Sequence, residues 1–364
     1  MRLSRRVHLL STPNVQVTKD YYLDVFSGFT RRFSELLTEL GWTVFLYGSE
    51  EYDCPAQEAI CCISKARQAE LLEGHSYHEA NYHPQNPMWI EFNQVVSAEI
   101  QKRKQAGDLL AIAAGAGVAN LAVWNQHSEM TCLEYSIGYK GIFAPYRIYQ
   151  SHAWRHLLHG IGHADYGRPY DDVIYHWFHE DEFPIKPVDD YVLYVGRLVA
   201  SKGLTIVCNA AKAAGVPLYI IGDGDPSLVT YGDYLGHMPP DARNQWMAGA
   251  RALLAPTNYI EPSACVATEA QLCGTPVIAT PWGGFTEYVE DGKTGFLCKS
   301  AQEFTDAIRR CDGVDRRYVR SRAQRLYGWA AGVEAYRRYF ARLESDAWDN
   351  WDQVAQLDAV AAGG

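Results

Sequence analysis

The chain has 364 residues, more than a single hydrophobic core usually sustains, so two domains of ordinary size are expected. Its 48% hydrophobic and 21% charged residues describe a folded globular protein and exclude a disordered or fibrous one. The formal net charge of -10 excludes a general electrostatic grip on nucleic acid or anionic lipid, so any phosphate site must be local.

The N-terminal stretch MRLSRRVHLLSTPN is basic, but its apolar run is far shorter than a signal-peptide core, and no other run approaches membrane-spanning length. A cytoplasmic protein without an integral membrane segment is expected. The nine cysteines are scattered without a paired C-x-x-C framework, which favours reduced thiols.

The apolar run Arg6 to Leu10 is followed by Ser-Thr-Pro-Asn, then by helical periodicity over Ser34 to Leu40, Gly41, and the apolar run Trp42 to Tyr47. This alternation predicts parallel strands joined by helical crossovers. Asp108 to Val123 and Thr131 to Tyr149 continue it, and the prolines of Phe183-Pro184-Ile185-Lys186-Pro187 mark a boundary. Strands are predicted at Val192 to Val195, Leu218 to Ile221, Ala252 to Ala255 and Val277 to Ala279. Helices are predicted over Gly203 to Ala214, Asp241 to Ala250 and Ala264 to Cys273. Val319 to Leu343 reads as helix and the Ala-Ala-Gly-Gly tail as frayed.

Two constellations carry chemistry. Gly196-Arg197-Leu198-Val199-Ala200-Ser201-Lys202-Gly203 follows a strand and opens a helix, placing two cations and a helix N-terminus where a diphosphate could be held. The bland alternative is a solvated basic turn. Glu261-Pro262-Ser263-Ala264-Cys265-Val266-Ala267-Thr268-Glu269 places two carboxylates eight residues apart. With Pro262 in the first helical turn, the N–H groups of Ser263, Ala264 and Cys265 would face an anion. Glu269 would fall on nearly the same helix face as Glu261, amid Ala267, Ala270 and Leu272, where an acid needs a partner such as a hydroxyl pair.

Glu-Pro with a second Glu after seven intervening residues, then Ala270 to Ala279, Gly283-Gly284 and Glu287, resembles the signature of retaining family-4 glycosyltransferases. Gly196-Arg197, Lys202-Gly203, Ile221 to Gly224, Gly236-His237-Met238 and Asp291 to Phe296 follow in that family's order, so the resemblance covers most of Tyr191 to Phe296. Trp42 to Gly48, Glu134 to Gly138 and Tyr146 to Trp154 are similar to an uncharacterised bacterial branch of these enzymes.

The resemblance implies an α/β fold of the GT-B type, two Rossmann-like doubly wound lobes facing an interdomain cleft. Residues 1–185 would form the acceptor lobe, 186–330 the donor lobe, and 331–364 a helix crossing back to the first lobe with a frayed tail. It also implies catalytic roles for Arg197, Lys202 and Glu261, the cations neutralising the donor diphosphate and Glu261 binding hydroxyls of the transferred sugar. The groups after Pro262, namely Ser263, Ala264 and Cys265, would bind phosphate oxygens, and Glu269 the ribose. Gly196 and Gly224 would allow close approach of the donor, His237 and Met238 would read the base, and Gly28 would correspond to a glycine loop over the phosphates. On the acceptor or sugar side, Glu134 stands where the family's histidine is expected, with His127 nearby.

Asp223-Gly224-Asp225 reads as a tight turn rather than a metal site, and His152, His156, His159 and His163 as a polar helix face near the cleft rather than a zinc site. The reading is a retaining hexosyltransferase, monomer or homodimer. It would use a nucleotide-sugar donor, UDP-sugar in preference to GDP-sugar, and a small-molecule or glycan acceptor, with no cofactor or metal required and no nucleic acid partner. A nucleotide-sugar epimerase of similar shape and a non-catalytic sugar-binding lobe are the alternatives.

Overall fold

The computed structural model describes residues 3–80, 83–113, 115, 120–162 and 167–345. The chain forms two compact units, one of Met1–Tyr149, His159–Ile174 and Val333–Gly364, the other of Gln150–Leu158 and Tyr175–Gly332. The division is therefore interleaved rather than a single cut between 185 and 186.

The first unit is built on seven strands, β1 (Arg6–Leu10), β2 (Thr43–Gly48), β3 (Glu58–Cys61), β4 (Leu109–Ile112), β5 (Thr131–Ile137), β6 (Tyr146–Tyr149) and β7 (Asp171–Val173). They lie in the order β3-β2-β1-β4-β5-β6-β7, and every neighbouring pair is parallel. Parallel strands covered on both faces require unbroken apolar runs, which Leu109 to Ile112 supply with no exposure at all. The intervening helices are α1 (Val25–Glu39), α2 (Lys65–Leu71), α3 (Pro87–Arg103), α4 (Leu121–Gln126) and α5 (His152–Ile161), the last carrying the chain across the division at Leu158. Helix α1 starts well before Ser34, because the Asp24 carboxylate accepts from the amides of Phe26 and Ser27 and caps it there. Its buried Phe33 stacks on Tyr135 of β5 at 4.1 Å between ring centroids.

The second unit repeats the plan with β8 (Val192–Val195), β9 (Leu218–Ile221), β10 (Asp233–Tyr234), β11 (Ala252–Ala255), β12 (Val277–Ala279) and β13 (Gly295–Leu297). The order β10-β9-β8-β11-β12-β13, again all parallel, is the doubly wound nucleotide-binding arrangement. Both units are thus Rossmann-like, as expected. Alternation along the strands feeds two cores. Val192, Tyr194, Ile220, Leu254 and Ile278 pack beneath α6 (Leu204–Ala214) and α10 (Ala301–Arg310). Leu193, Leu253 and Val277 pack on the other face with residues of α7 (Pro240–Gly249), α8 (Cys265–Leu272), α9 (Phe285–Tyr288) and α11 (Arg316–Tyr327).

The helix expected over Val319 to Leu343 is two, α11 and α12 (Trp329–Glu344), divided at Gly328. Gly328 is extended and pairs with Phe178, and a Cβ there would lie 2.1 Å from the Glu180 carboxylate, so packing rather than periodicity breaks the helix. The tail beyond residue 345 lies outside the described residues.

Arg316 ties α11 to the end of α7. Its guanidinium donates to the carbonyls of Ala250 (2.8 Å) and Ala248 (2.9 Å), acceptors that the C-terminus of α7 leaves open, and to Thr275 Oγ1 (2.7 Å). Arg316→Met is expected to destabilise the protein by about 3 kcal/mol, because it strands these acceptors. A shift in the urea midpoint without a change in slope checks it.

Candidate active site

In a doubly wound sheet the loops leaving the strands diverge at the point where strand order reverses, and ligands bind at the carboxyl ends of the two strands flanking it. In the second unit those strands are β8 and β11. The loop after β8 holds Arg197 and Lys202, and the loop after β11 holds Glu261.

The structure brings Lys202 and Glu261 together. Lys202 Nζ donates to Glu261 Oε2 at 2.8 Å, and both side chains are largely withdrawn from solvent. The Tyr259 hydroxyl donates to the same oxygen at 2.7 Å, and the Lys202 ammonium sits 5.1 Å from the centre of the Tyr259 ring. Arg197 is exposed, and its backbone carbonyl accepts from the Tyr194 hydroxyl at 2.8 Å, which ties it to the end of β8 beside this pair. Burial and then the adjacent Glu261 carboxylate push both phenols well above their usual range, so they stay protonated donors.

Glycines make this convergence sterically feasible. Gly203 is left-handed (φ +71°), and a Cβ on it would lie 2.7 Å from the Pro256 carbonyl, while the Asn258 amide donates to the Ser201 carbonyl at 2.9 Å. Gly283 is also left-handed (φ +63°) and would press a Cβ to 2.5 Å from the Glu261 amide nitrogen. Gly284 N donates to the Glu261 carbonyl at 2.7 Å. The Gly-Gly pair is therefore the floor against which the glutamate's backbone is set.

Helix α8 begins at Cys265, three residues later than Pro262, which corrects the placement of Pro262 in the first helical turn. Ala264 adopts a left-handed conformation (φ 57°, ψ 49°), and Ser151 Oγ donates to the Pro262 carbonyl at 2.6 Å, holding Pro262 to Ala264 as a loop leading into the helix. Ser263 is buried and its hydroxyl contacts the Cys265 thiol. Glu269 lies in the second turn and pairs with Arg243 Nη2 of α7 at 2.7 Å. The partner that Glu269 needs is thus an arginine in this structure, one that the sequence did not single out.

Gly224 serves another close approach, as does Gly222, where a Cβ would lie 1.8 Å from the Gly196 carbonyl oxygen, whereas a Cβ on Gly196 itself would come nearest the Tyr194 hydroxyl. The Leu198 amide donates to the Asp223 carbonyl at 2.7 Å, the Asp225 amide donates to the Leu198 carbonyl, and a Cβ on Gly224 would lie 2.6 Å from that same carbonyl oxygen. The missing side chain of Gly224 admits the Leu198 backbone. Asp225 caps the turn after it, accepting from the Ser227 amide at 2.9 Å. Gly236 accepts from Gly222, which leaves His237 exposed and Met238 half-buried against the apolar core. Glu287 holds the start of α5, accepting from the amides of His152 and Ala153 and from the Tyr175 hydroxyl.

The residues singled out in the first unit are differently employed. Gly28 lies within α1, not in a loop, because the Asp24 cap starts the helix ahead of it. His127 is buried, donating from Nε2 to the Ser97 carbonyl (3.1 Å) with Lys104 at Nδ1. Burial, reinforced by Lys104, holds its imidazole below its ordinary range. Glu134 is wholly buried in β5. One carboxylate oxygen accepts from the amides of Phe143 (2.8 Å) and Ala144 (2.7 Å), the other from the Tyr139 hydroxyl (3.1 Å), and a Cβ on Gly115 would reach within 2.3 Å of it. Both act as internal ties. Of the histidine series, His152 and His156 contact Arg155, His159 pairs with Asp171, and His163 lies outside the described residues.

Residues 189–311 match the family described as Glycosyl transferases group 1. This group 1 segment contains both switch-point loops, Arg243 and both glutamates. The chain is also similar to D-inositol 3-phosphate glycosyltransferases of Mycobacterium tuberculosis and Mycobacterium bovis, 33% identical over 207 residues covering 49% of this chain and 43% of each relative. The match thus spans less than half the length of those curated relatives. Among solved structures, AviGT4, a glycosyltransferase involved in avilamycin A biosynthesis, shares the fold with a TM-score of 0.68 at 19% identity, covering 94% of this chain and 98% of that one. Sucrose-phosphate synthase from Thermosynechococcus elongatus superimposes with a TM-score of 0.66 at 18% identity, covering 93% and 99%. Anabaena HepE in complex with UDP-glucose gives 0.63 at 17% identity with the same coverage. The fold is that of GT-B glycosyltransferases. Among the described residues no helix is long and apolar enough to cross a membrane.

Glu134 links the stability of the first unit to pH. Burial outweighs its hydrogen bonds and raises its carboxyl above the ordinary 4.5. The folded protein therefore keeps this proton longer than the unfolded chain, and the associated stability, full at low pH, declines as pH climbs past 4.5. Glu134→Gln, whose amide oxygen preserves both backbone bonds, is expected to flatten that slope in urea midpoints measured from about pH 4 to pH 7.

Proposed function

We propose that the protein is a retaining glycosyltransferase that moves a hexosyl group from a nucleoside-diphosphate sugar to an acceptor hydroxyl. The observation that carries the reading is the Lys202–Glu261 pair, assembled from the two loops at the switch point of the second unit, inside the group 1 segment. Cations are wanted beside a diphosphate, and a carboxylate beside sugar hydroxyls. Here the two occur within hydrogen-bonding distance, with Arg197 alongside. The mycobacterial relatives and AviGT4 are glycosyltransferases by name, and HepE in complex with UDP-glucose supports a UDP-sugar as donor.

As the glycosidic bond to the donor breaks, negative charge develops on the departing diphosphate. Arg197, Lys202 and the amides at the start of α8 are the groups that stabilise it. Glu261 accepts hydrogen bonds from hydroxyls of the transferred sugar and Glu269 from the ribose. Arg243 shares the Glu269 carboxylate with that diol. The acceptor hydroxyl attacks from the face that the diphosphate leaves, giving its proton to the departing phosphate, so the anomeric configuration is retained. Arg197 and Lys202 supply the charge that a metal ion would otherwise provide, so transfer is expected to persist in a chelator. His237 and Met238 border the base.

Incubation with UDP-, GDP-, ADP- and dTDP-sugars, with and without an acceptor panel, tests the reading through nucleotide release and product stereochemistry. Arg197→Ala and Lys202→Ala are each expected to lower kcat/KM on the order of a hundredfold, Arg197→Ala with thermal unfolding unchanged and Lys202→Ala with a lowered but still cooperative melting transition, since it leaves Glu261 without its cation. Near-normal turnover in both variants defeats the charge-neutralising role. Conversion of a donor into its epimer without acceptor replaces transfer by isomerisation.

A further inference from the structure

We propose that Tyr259 is a positioning residue for sugar recognition: with Lys202 it occupies one oxygen of Glu261 and thereby leaves the other oxygen to hydroxyls of the transferred sugar. The inference rests on the glycosyl-transfer reading and adds a residue that neither the E-x7-E spacing nor the comparisons assign.

An ionised carboxylate has two oxygens and about four acceptor positions. Oε2 of Glu261 receives the Tyr259 hydroxyl at 2.7 Å and the Lys202 ammonium at 2.8 Å, which fills it. Among the described residues no hydrogen bond reaches Oε1. The terminal torsion of a glutamate is broad and roughly two-fold, so the plane of the carboxylate is set by the donors it meets, and a donor on a fixed backbone sets it better than one on a flexible stem. Lys202 cannot hold that orientation alone. Its flexible ammonium is also the group that a donor diphosphate draws toward itself.

Tyr259 is better placed to stay. Thr257 Oγ1 donates to its carbonyl at 3.1 Å, and the neighbouring Asn258 amide is tied to Ser201, so its backbone is fixed to both loops of the switch point. Its ring lies under the Lys202 ammonium at 5.1 Å and restrains the lysine as well. The hydroxyl is protonated throughout the working range, as burial and the adjacent carboxylate require. When a diphosphate engages Lys202, Tyr259 keeps Glu261 aimed.

The test uses Tyr259→Phe, which removes the hydroxyl and keeps the ring, with Glu261→Gln and the double variant. Binding of UDP, UDP-glucose, GDP and GDP-mannose to the full chain is measured by calorimetry, and folding by thermal melting. The readout is the sugar advantage, the ratio of Kd for the nucleoside diphosphate to Kd for its sugar conjugate. Tyr259→Phe is expected to leave the diphosphate Kd unchanged and to cut the sugar advantage about tenfold, as the loss of a hydrogen bond to a charged group does. In the Glu261→Gln background the same change is expected to have little further effect, since the two act through one carboxylate. An unchanged sugar advantage in Tyr259→Phe overturns the inference. So does equal weakening of both ligands, or full additivity with Glu261→Gln. A wild-type protein that shows no sugar advantage for either pair, or an unaltered one in Glu261→Gln, overturns the glycosyl-transfer reading of Glu261 and this inference with it.

Discussion

An all-parallel sheet delivers the carboxyl ends of every strand to one edge, and reversal of strand order separates the loops of the two central strands. In the second unit this geometry forces the segments after β8 and β11 to face one another, and every feature of the candidate site depends on how closely they come. Gly203 sets that distance, and Gly283, in the loop after β12, sets how closely that loop backs Glu261. Each stands where a Cβ would meet backbone, and each is left-handed, so the approach of the loops after β8, β11 and β12 is written into backbone rather than side-chain chemistry. Lys202 and Glu261 meet because those backbones meet.

Charge follows from the same constraint. Two oppositely charged side chains brought into a partly dehydrated pocket gain from pairing, and would be costly if either were left alone. Tyr259 completes the arrangement with a neutral donor. Arg243 performs the equivalent service for Glu269 on the next helix, so each glutamate of the E-x7-E pair has its own cationic partner in the protein. These pairs are largely but not fully withdrawn from solvent, which is consistent with groups that exchange partners when an anionic, polyhydroxylated ligand arrives.

The first unit uses its polar side chains for a different purpose. Glu134 and His127 are buried and saturated by backbone groups and by Lys104, and they hold β5 and the end of α4 in place. In sequence they resemble site residues, since an acid and a histidine within apolar surroundings suggest chemistry. In the folded chain their hydrogen bonds point inward, because a buried polar group without a partner is more costly than one spent on an internal tie.

Much of the fold was legible in residue order. Alternating apolar runs and helical periodicity placed β8, β9, β11 and β12 within the second unit, and the positions of Arg197, Lys202, Glu261 and Glu269 marked the loops that matter. Such signals are local: strand burial, turn glycines and the spacing of charges depend on neighbours within a few residues. The sequence alone therefore determined two Rossmann-like units and the candidate cations and acids. Only the tertiary structure decided that Tyr259 and Arg243 partner the glutamates, that α8 starts at Cys265, that Gly328 divides α11 from α12, and that Gly28 is helical. The Arg243–Glu269 pair and the break at Gly328 rest on contacts between residues distant in the chain, the Tyr259–Glu261 bond on the turn that the loop adopts, and the others on a cap and a left-handed residue whose effect depends on packing; periodicity carries no record of them.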